Sequence, residues 1–207
     1  MTPPPSGHEP GSQHAHEHEH GHAPLPLADA SVRAARPNDA PAVGLVQAAV
    51  FRQLYAGRVP DDVVALFQPE PFARAWRESL TAPPAGVHRL LVACAGEQVT
   101  GMAAIGPAQD PDAESSWGEV TVLAVHPDAR RQGHGSRLLN AGVDLLRDAG
   151  AEVVSCWLLA DDEAGRAFLT SSGFGPDGAF RDRVVSPAGE TLREVRLLAV
   201  LVEDRGA

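Results

Sequence analysis

Residues 117–136 read WGEVTVLAVHPDARRQGHGS, and the reading of this stretch decides the fold. Val120 to Val125 is apolar and β-branched enough to predict a strand. Pro127 ends it, because proline has no amide hydrogen to give to a ladder. A loop with two arginines, Arg130 and Arg131, then leads into Gly133-His134-Gly135. From Ser136 the apolar spacing turns helical, with Leu138, Gly142, Leu145 and Ala149 on one face and Leu139, Val143 and Leu146 beside it. The order is strand, glycine loop, helix start.

A helix N-terminus presents unpaired amide hydrogens and roughly half a positive charge, which suits an anion. Glycines at 133 and 135 remove side chains that would hold a phosphate away from those amides, and the two guanidiniums add positive charge at the rim. The loop therefore predicts a phosphate cradle rather than a bare turn. What it lacks narrows the phosphate. A dinucleotide fingerprint needs a third glycine, where this chain has Leu138. A Walker loop needs Gly-Lys-Ser/Thr, and the chain contains no lysine. Both familiar nucleotide loops are disfavoured.

Outward from this stretch, 207 residues with 43% hydrophobic content predict one domain plus a tail. A formal charge of −10 argues against a general nucleic-acid binder and mildly favours a cationic acceptor. Cys94 and Cys156 fall in apolar runs, where free cysteine behaves as a small buried hydrophobe, and a reducing cytoplasm fits. Residues 1–30 differ in kind, with prolines at 3, 4, 5, 10, 24 and 26 and histidines at 8, 14, 16, 18, 20 and 22. This composition predicts a disordered tail. With no charged start before a long apolar run, neither a secretory signal nor a membrane span is expected. The alternating HAHEHEHGH suits capture of zinc or nickel, but no scaffold closes a coordination geometry, so no required metal is expected.

The remaining elements are read in order. Ser31–Arg36 predicts a first strand, and Pro37-Asn38-Asp39 a turn capping a helix over 40–54 that carries Val43, Val46, Val50 and Leu54. After Gly57 and Pro60 a second helix is expected over 61–67, interrupted by Pro69 and Pro71 before resuming over 72–80. His88–Ala95 and Gln98–Ile105 predict a hairpin around Ala-Gly-Glu. Gly106–Ser116 is a polar connection whose Asp110, Asp112 and Glu114 either face a positive acceptor or, better, solvent. Gly150 suits a C-cap. Val153–Leu159 is apolar on both faces, as a buried parallel strand should be. Asp161 or Asp162 caps a helix ending at Gly173, and 179–185 with 192–202 predict a closing hairpin around Ser-Pro-Ala-Gly. The order is βααβββαβαββ, an α/β fold whose mixed, mostly antiparallel sheet has helices on both faces and one parallel pair.

The residues VTVLAVHPDARRQGHGSRLL resemble the acetyl-CoA loop of the GNAT N-acetyltransferase superfamily, whose pattern is Arg/Gln-x-x-Gly-x-Gly/Ala after a strand. Arg130, Gly133 and Gly135 fill its defined positions. Downstream, Asp162 through Phe168 to Gly173-Phe174 resembles the helix and Gly-Phe exit that follow that loop in the family. The resemblance covers 117–175 firmly and extends over a domain at 31–203. It implies a GNAT-like fold whose parallel strands splay apart to admit acetyl-CoA as co-substrate. It further implies that the backbone of Leu123, Ala124 and Val125 pairs with the pantetheine amides. The amides of Arg131, Gln132, Gly133, His134, Gly135 and Ser136 would take the diphosphate, with the Arg130 and Arg131 side chains near the ribose phosphate or outside. Phe168, Asp162 near the pantetheine arm, and Arg166, near the diphosphate or in solvent, complete that set.

An amine attacking a thioester must lose a proton and the leaving thiolate must gain or tolerate one, so a base and an acid are expected. Glu119 matches a strand glutamate that serves as base in some family members, and strand alternation puts Glu119, Thr121 and Leu123 on one face. The family's usual tyrosine acid is replaced by Leu169. Tyr55 lies where the family's acceptor pocket is bordered, although a half-buried packing ring is its commoner role. His126 precedes a proline at a strand end, and His134 is expected to contribute its amide rather than its ring. The reading is a cytoplasmic, acetyl-CoA-dependent N-acetyltransferase acting directly on the primary amine of a small molecule or peptide. Neither nucleic acid nor membrane is an expected partner, and a homodimer through the closing hairpin is an option. The alternative, motivated by Leu169, is an acyl-CoA-binding regulatory module with little turnover.

Overall fold

Apolar side chains run without a break through Leu90-Leu91-Val92-Ala93-Cys94, so this strand must be covered on both faces. In the computed structural model, which describes Met1, residues 30–186 and residues 188–201, it is. Leu90, Val92 and Cys94 pack with Val43 and Val46 on one side. Leu91 and Ala93 pack with Leu138 on the other.

The elements are β1 (Ala30–Ala34), α1 (Ala40–Tyr55), α2 (Asp61–Val64), α3 (Pro69–Thr81), β2 (Arg89–Ala95), β3 (Gln98–Pro107) and β4 (Trp117–Val125). They continue with α4 (His134–Asp148), β5 (Val153–Leu159), α5 (Glu163–Ser171), β6 (Gly175–Val184) and β7 (Thr191–Val200). All seven strands form one sheet in the order β1-β2-β3-β4-β5-β7-β6. Every pairing is antiparallel except β4 with β5. The expected mixed sheet, helices on both faces and parallel pair around the central helix are therefore present. α1 and α3 cover one face, with Trp76 and Leu80 of α3 joining Val43 and Val46. α4 and α5 cover the other, where Leu139, Leu146 and Leu169 meet Val120, Val154 and Leu197. Gly44 lets α1 and α3 touch, since a Cβ there would stand 2.7 Å from the Ala73 amide nitrogen.

Several boundaries differ from expectation. β1 stops at Ala34 because Arg36 gives its amide to the Asp39 carboxylate, 2.7 Å away, and turns the chain. The second helix divides. α2 ends at Val64, and Pro69 and Pro71 open α3 instead of interrupting a helix. In a first turn the amide that proline lacks would have no partner anyway. The order thus gains a one-turn helix over the expected βααβββαβαββ. α4 begins two residues early, at His134, and β6 begins at Gly175 with an irregular register between Pro176 and Phe180.

The expected histidine-rich tail, apart from its two end residues, lies outside the described residues, as do Pro187 of the closing turn and Val202 of the expected last strand. Among the described residues no helix is long and apolar enough to cross a membrane.

Candidate active site

The parallel pair is where the sheet opens. β4 and β5 share rungs only from Trp117 opposite Val153 to Val120 opposite Cys156, while both strands run on. The gap becomes a cleft of about 720 Å³. Leu123, Ala124 and Val125 form one wall. Opposite them stand the loop and first turn of α4 and, at the start of α5, Asp162, Gly165 and Phe168.

The loop is shaped for an anion. Gly133 caps α4 at φ +80°, in the left-handed region that an L side chain disfavours. Arg131 also lies there, at φ +64°. Six consecutive amides, from Arg131 to Ser136, donate to no backbone carbonyl among the described residues, and the helix resumes its ladder only when Arg137 bonds Gly133 at 3.1 Å. Successive free amides across a left-handed residue make a concave donor set for an oxyanion. His134 is 2% exposed and its Nδ1 has no partner, an orphaned polar atom in the wall of the same cleft. Burial, with the Arg137 guanidinium nearby, holds its pKa below the usual imidazole value. These donors fit a diphosphate.

The other expected contacts divide. Arg130 and Arg131 line the cleft, and Arg130 Nε donates to the Val125 carbonyl at 3.3 Å. The Phe168 ring lies 3.6 Å from where a Cβ of Gly135 would stand. Asp162 lines the wall while its carboxylate accepts the Gly165 amide at 2.9 Å, capping α5. Gln132 and Arg166 are absent from the lining. The Gln132 carbonyl is taken by Arg137, and Arg166 donates to the Ala160 carbonyl at 3.0 Å. Sequence reasoning missed Val50, Gln53 and Leu54, which bring α1 to the cleft, and Arg58 of the turn after it. The only signal for them was an amphipathic helix, which does not say what its edge borders.

Glu119 lies on the far side of β4 from this loop. The β3–β4 register slips between Ala104, opposite Val122, and Ile105, opposite Val120, leaving Thr121 as an extra residue. A bulge reverses the alternation beyond it. Val120 and Leu123 therefore both pack toward α4, and Glu119 does not share a face with Leu123 as plain alternation predicted. Glu119 instead faces the α1–α3 side, 9% exposed. Burial and then the Asp110 carboxylate push its pKa up, against Arg181 and the Gln109 amide. The Arg181 guanidinium is engaged elsewhere, with Glu194 at 2.6 Å and Asp110 at 3.8 Å. Beside Glu119, burial pushes the Cys156 thiol up to about 12, so it is no nucleophile at neutral pH.

In the acidic connection Asp112 and Glu114 are exposed, as expected of a solvated loop, while Asp110 is drawn in. Arg196, its side chain 4% exposed, binds Asp112 at 2.6 Å, Asp177 at 2.7 Å and Asp110 at 3.2 Å. Its guanidinium lies 5.3 Å from the centroid of the Trp117 ring and 5.5 Å from that of Trp157. Leu169 is buried in the core with Phe174 and Leu139. Tyr55 packs on Leu159 and meets Phe51 edge-on with ring centroids 5.6 Å apart; burial keeps its phenol protonated. His126 Nδ1 accepts the Asp128 amide at 3.4 Å, capping the turn after β4.

A family model described as the acetyltransferase (GNAT) family matches residues 51–174. A mycothiol acetyltransferase of Parafrankia sp. (strain EAN1pec) is 32% identical over 166 residues, 80% of this chain and 43% of that protein. The chain spans less than half the length of the curated relatives it matches. The PaiA N-acetyltransferase of Thermoplasma acidophilum, solved in complex with coenzyme A, superposes with a TM-score of 0.61 over 83% of this chain and 99% of that one, at 13% identity. YncA of Salmonella typhimurium, solved with acetyl-CoA, gives 0.57 over 86% and 96% at 20% identity. At such identities these two likenesses are likenesses of fold.

Proposed function

The chain belongs to the acetyltransferase (GNAT) family, and from that premise we propose that it moves an acetyl group from acetyl-CoA directly to a primary amine of a small molecule or peptide. The observation that carries this reading is the row of six free amides, 131–136, of whose residues all but Gln132 line the cleft between the parting strands. A diphosphate held there leaves the pantetheine arm to run down the gap, where Leu123, Ala124 and Val125 offer an unpaired strand edge. The thioester then reaches the bulge at Thr121, with Glu119 on the opposite side of the strand.

Glu119 is the base in this reading. Its raised pKa brings it closer to the pH at which a general base works best, and buried carboxylates tuned in this way suit proton abstraction. The amine gives its proton to Glu119, nitrogen attacks the thioester carbon, and coenzyme A leaves as a thiolate. With Leu169 buried, α5 supplies no proton, and water entering the open cleft does so. A second reading, a module that binds acyl-CoA without turnover, draws on that same buried Leu169. Calorimetry with acetyl-CoA, followed by thiol release across a panel of amines, tests both. Binding with amine-dependent release, lost in Glu119→Gln, supports transfer. Binding without release supports the module, and no binding sinks both.

A further inference from the structure

On the face that carries Glu119, a second cavity of about 270 Å³ lies beneath the C-terminal turns of α3. Trp76 and Leu80 form its roof, and Pro83 and Pro84 close its end. Thr121, the extra residue of the bulge, lines the side nearest Glu119. His88 also lines it, and a Cβ on Gly106 would stand 2.8 Å from the His88 Nδ1. Gly106 is the residue directly opposite Glu119 in the β3–β4 ladder, so His88, in the cavity wall, stands against the rung that carries the carboxylate, while Glu119 itself lies outside the wall.

Its chemistry is apolar. No carboxylate lines it. Of the polar groups at its wall, the Trp76 indole donates to Gln47 at 2.6 Å, the Thr121 hydroxyl to the Ala104 carbonyl at 3.2 Å and Arg89 to the His88 carbonyl at 2.9 Å, which leaves the Ser79 hydroxyl and the His88 ring. The wall thus offers a second ammonium no carboxylate to pair with. The volume also decides something. It falls below the roughly 300–1,000 Å³ of pockets that hold whole drug-sized ligands, so it takes one group of a ligand rather than all of it.

We propose that this cavity is the acceptor subsite for an apolar group, a ring or a branched chain, joined by a short arm to the primary amine that Glu119 deprotonates. The inference rests on the transferase reading above and names its substrate class: arylalkyl and branched alkyl amines rather than diamines. The amine loses its proton to Glu119, its nitrogen forms the amide bond, and the carbon–sulfur bond of acetyl-CoA breaks with the electron pair leaving on sulfur.

The test uses the full chain with acetyl-CoA and four amines: 2-phenylethylamine, 3-methylbutylamine, ethylamine and 1,4-diaminobutane. Filling an apolar subsite is worth about tenfold or more in kcat/KM, so the first two should exceed the last two by at least that factor. Leu80→Trp fills the cavity and should lower the preference for 2-phenylethylamine over ethylamine about tenfold, through KM. Ala35→Leu narrows the cavity from β1 and should lower it in the same direction, which keeps the test open if Leu80→Trp melts early. A preference for 1,4-diaminobutane, equal rates for all four, or a selectivity unmoved in a folded variant overturns the subsite while leaving the transferase in place. Failure to bind acetyl-CoA in calorimetry, or no release with any amine, overturns the transferase reading and the subsite with it.

Discussion

Glu119 is held above its ordinary pKa by burial and by Asp110, and that shift has two opposite consequences. The folded state holds this proton more tightly than the unfolded chain does. Stability is therefore lost as pH rises from the ordinary carboxylate value through the raised one, and the loss persists at pH 7. Catalysis needs the ionised form, so kcat/KM should climb over the same window. Glu119→Gln should melt at a higher temperature than the parent at pH 7 while kcat falls about 10²- to 10⁴-fold, the usual worth of a positioned base. A variant that melts lower, or a parent profile flat from pH 4 to 8, would count against the assignment. At Gly133, φ +80° asks for a residue without a Cβ. Gly133→Ala should cost about 1–2 kcal/mol in urea denaturation and weaken acetyl-CoA in calorimetry, because the strained cap tilts the free amides.

Among the elements, β7 carries the largest electrostatic commitment. Arg196 binds two aspartates of the β3–β4 connection and Asp177 of β6 and is almost wholly buried, so its removal leaves carboxylates without their cation. Arg196→Met should cost about 3–5 kcal/mol, read from the denaturation midpoint, and should loosen the 108–116 connection enough for limited proteolysis to cut there. None of this was legible in the sequence. The run Thr191–Val200 reads as a strand, but a charged residue in a strand does not announce a partner 84 positions away. The bulge at Thr121 was hidden for the same reason, since it is defined by what stands opposite in β3. What could be read was local: the strand, loop and helix of 117–136 and the doubly apolar β5 carry their own periodicity and punctuation. Pro69 and Pro71 show the limit of punctuation, because proline breaks a helix interior and suits a first turn, and the sequence alone does not say which applies.

At the scale of the molecule, the sheet divides into β1–β4 and β5–β7–β6, joined by the four paired positions Trp117 to Val120. A ligand seated in the gap contacts both parts and binds only the folded chain. Acetyl-CoA at 100 times its dissociation constant should therefore raise stability by about 2.7 kcal/mol, seen as a concentration-dependent melting temperature. The same geometry makes the molecule a book bound along a short spine. Glu119 sits in the binding itself, while beyond it the facing edges of β4 and β5 have no ladder between them. Hydrogen exchange should accordingly be faster at the free margins near Val125 and Leu159 than along the spine.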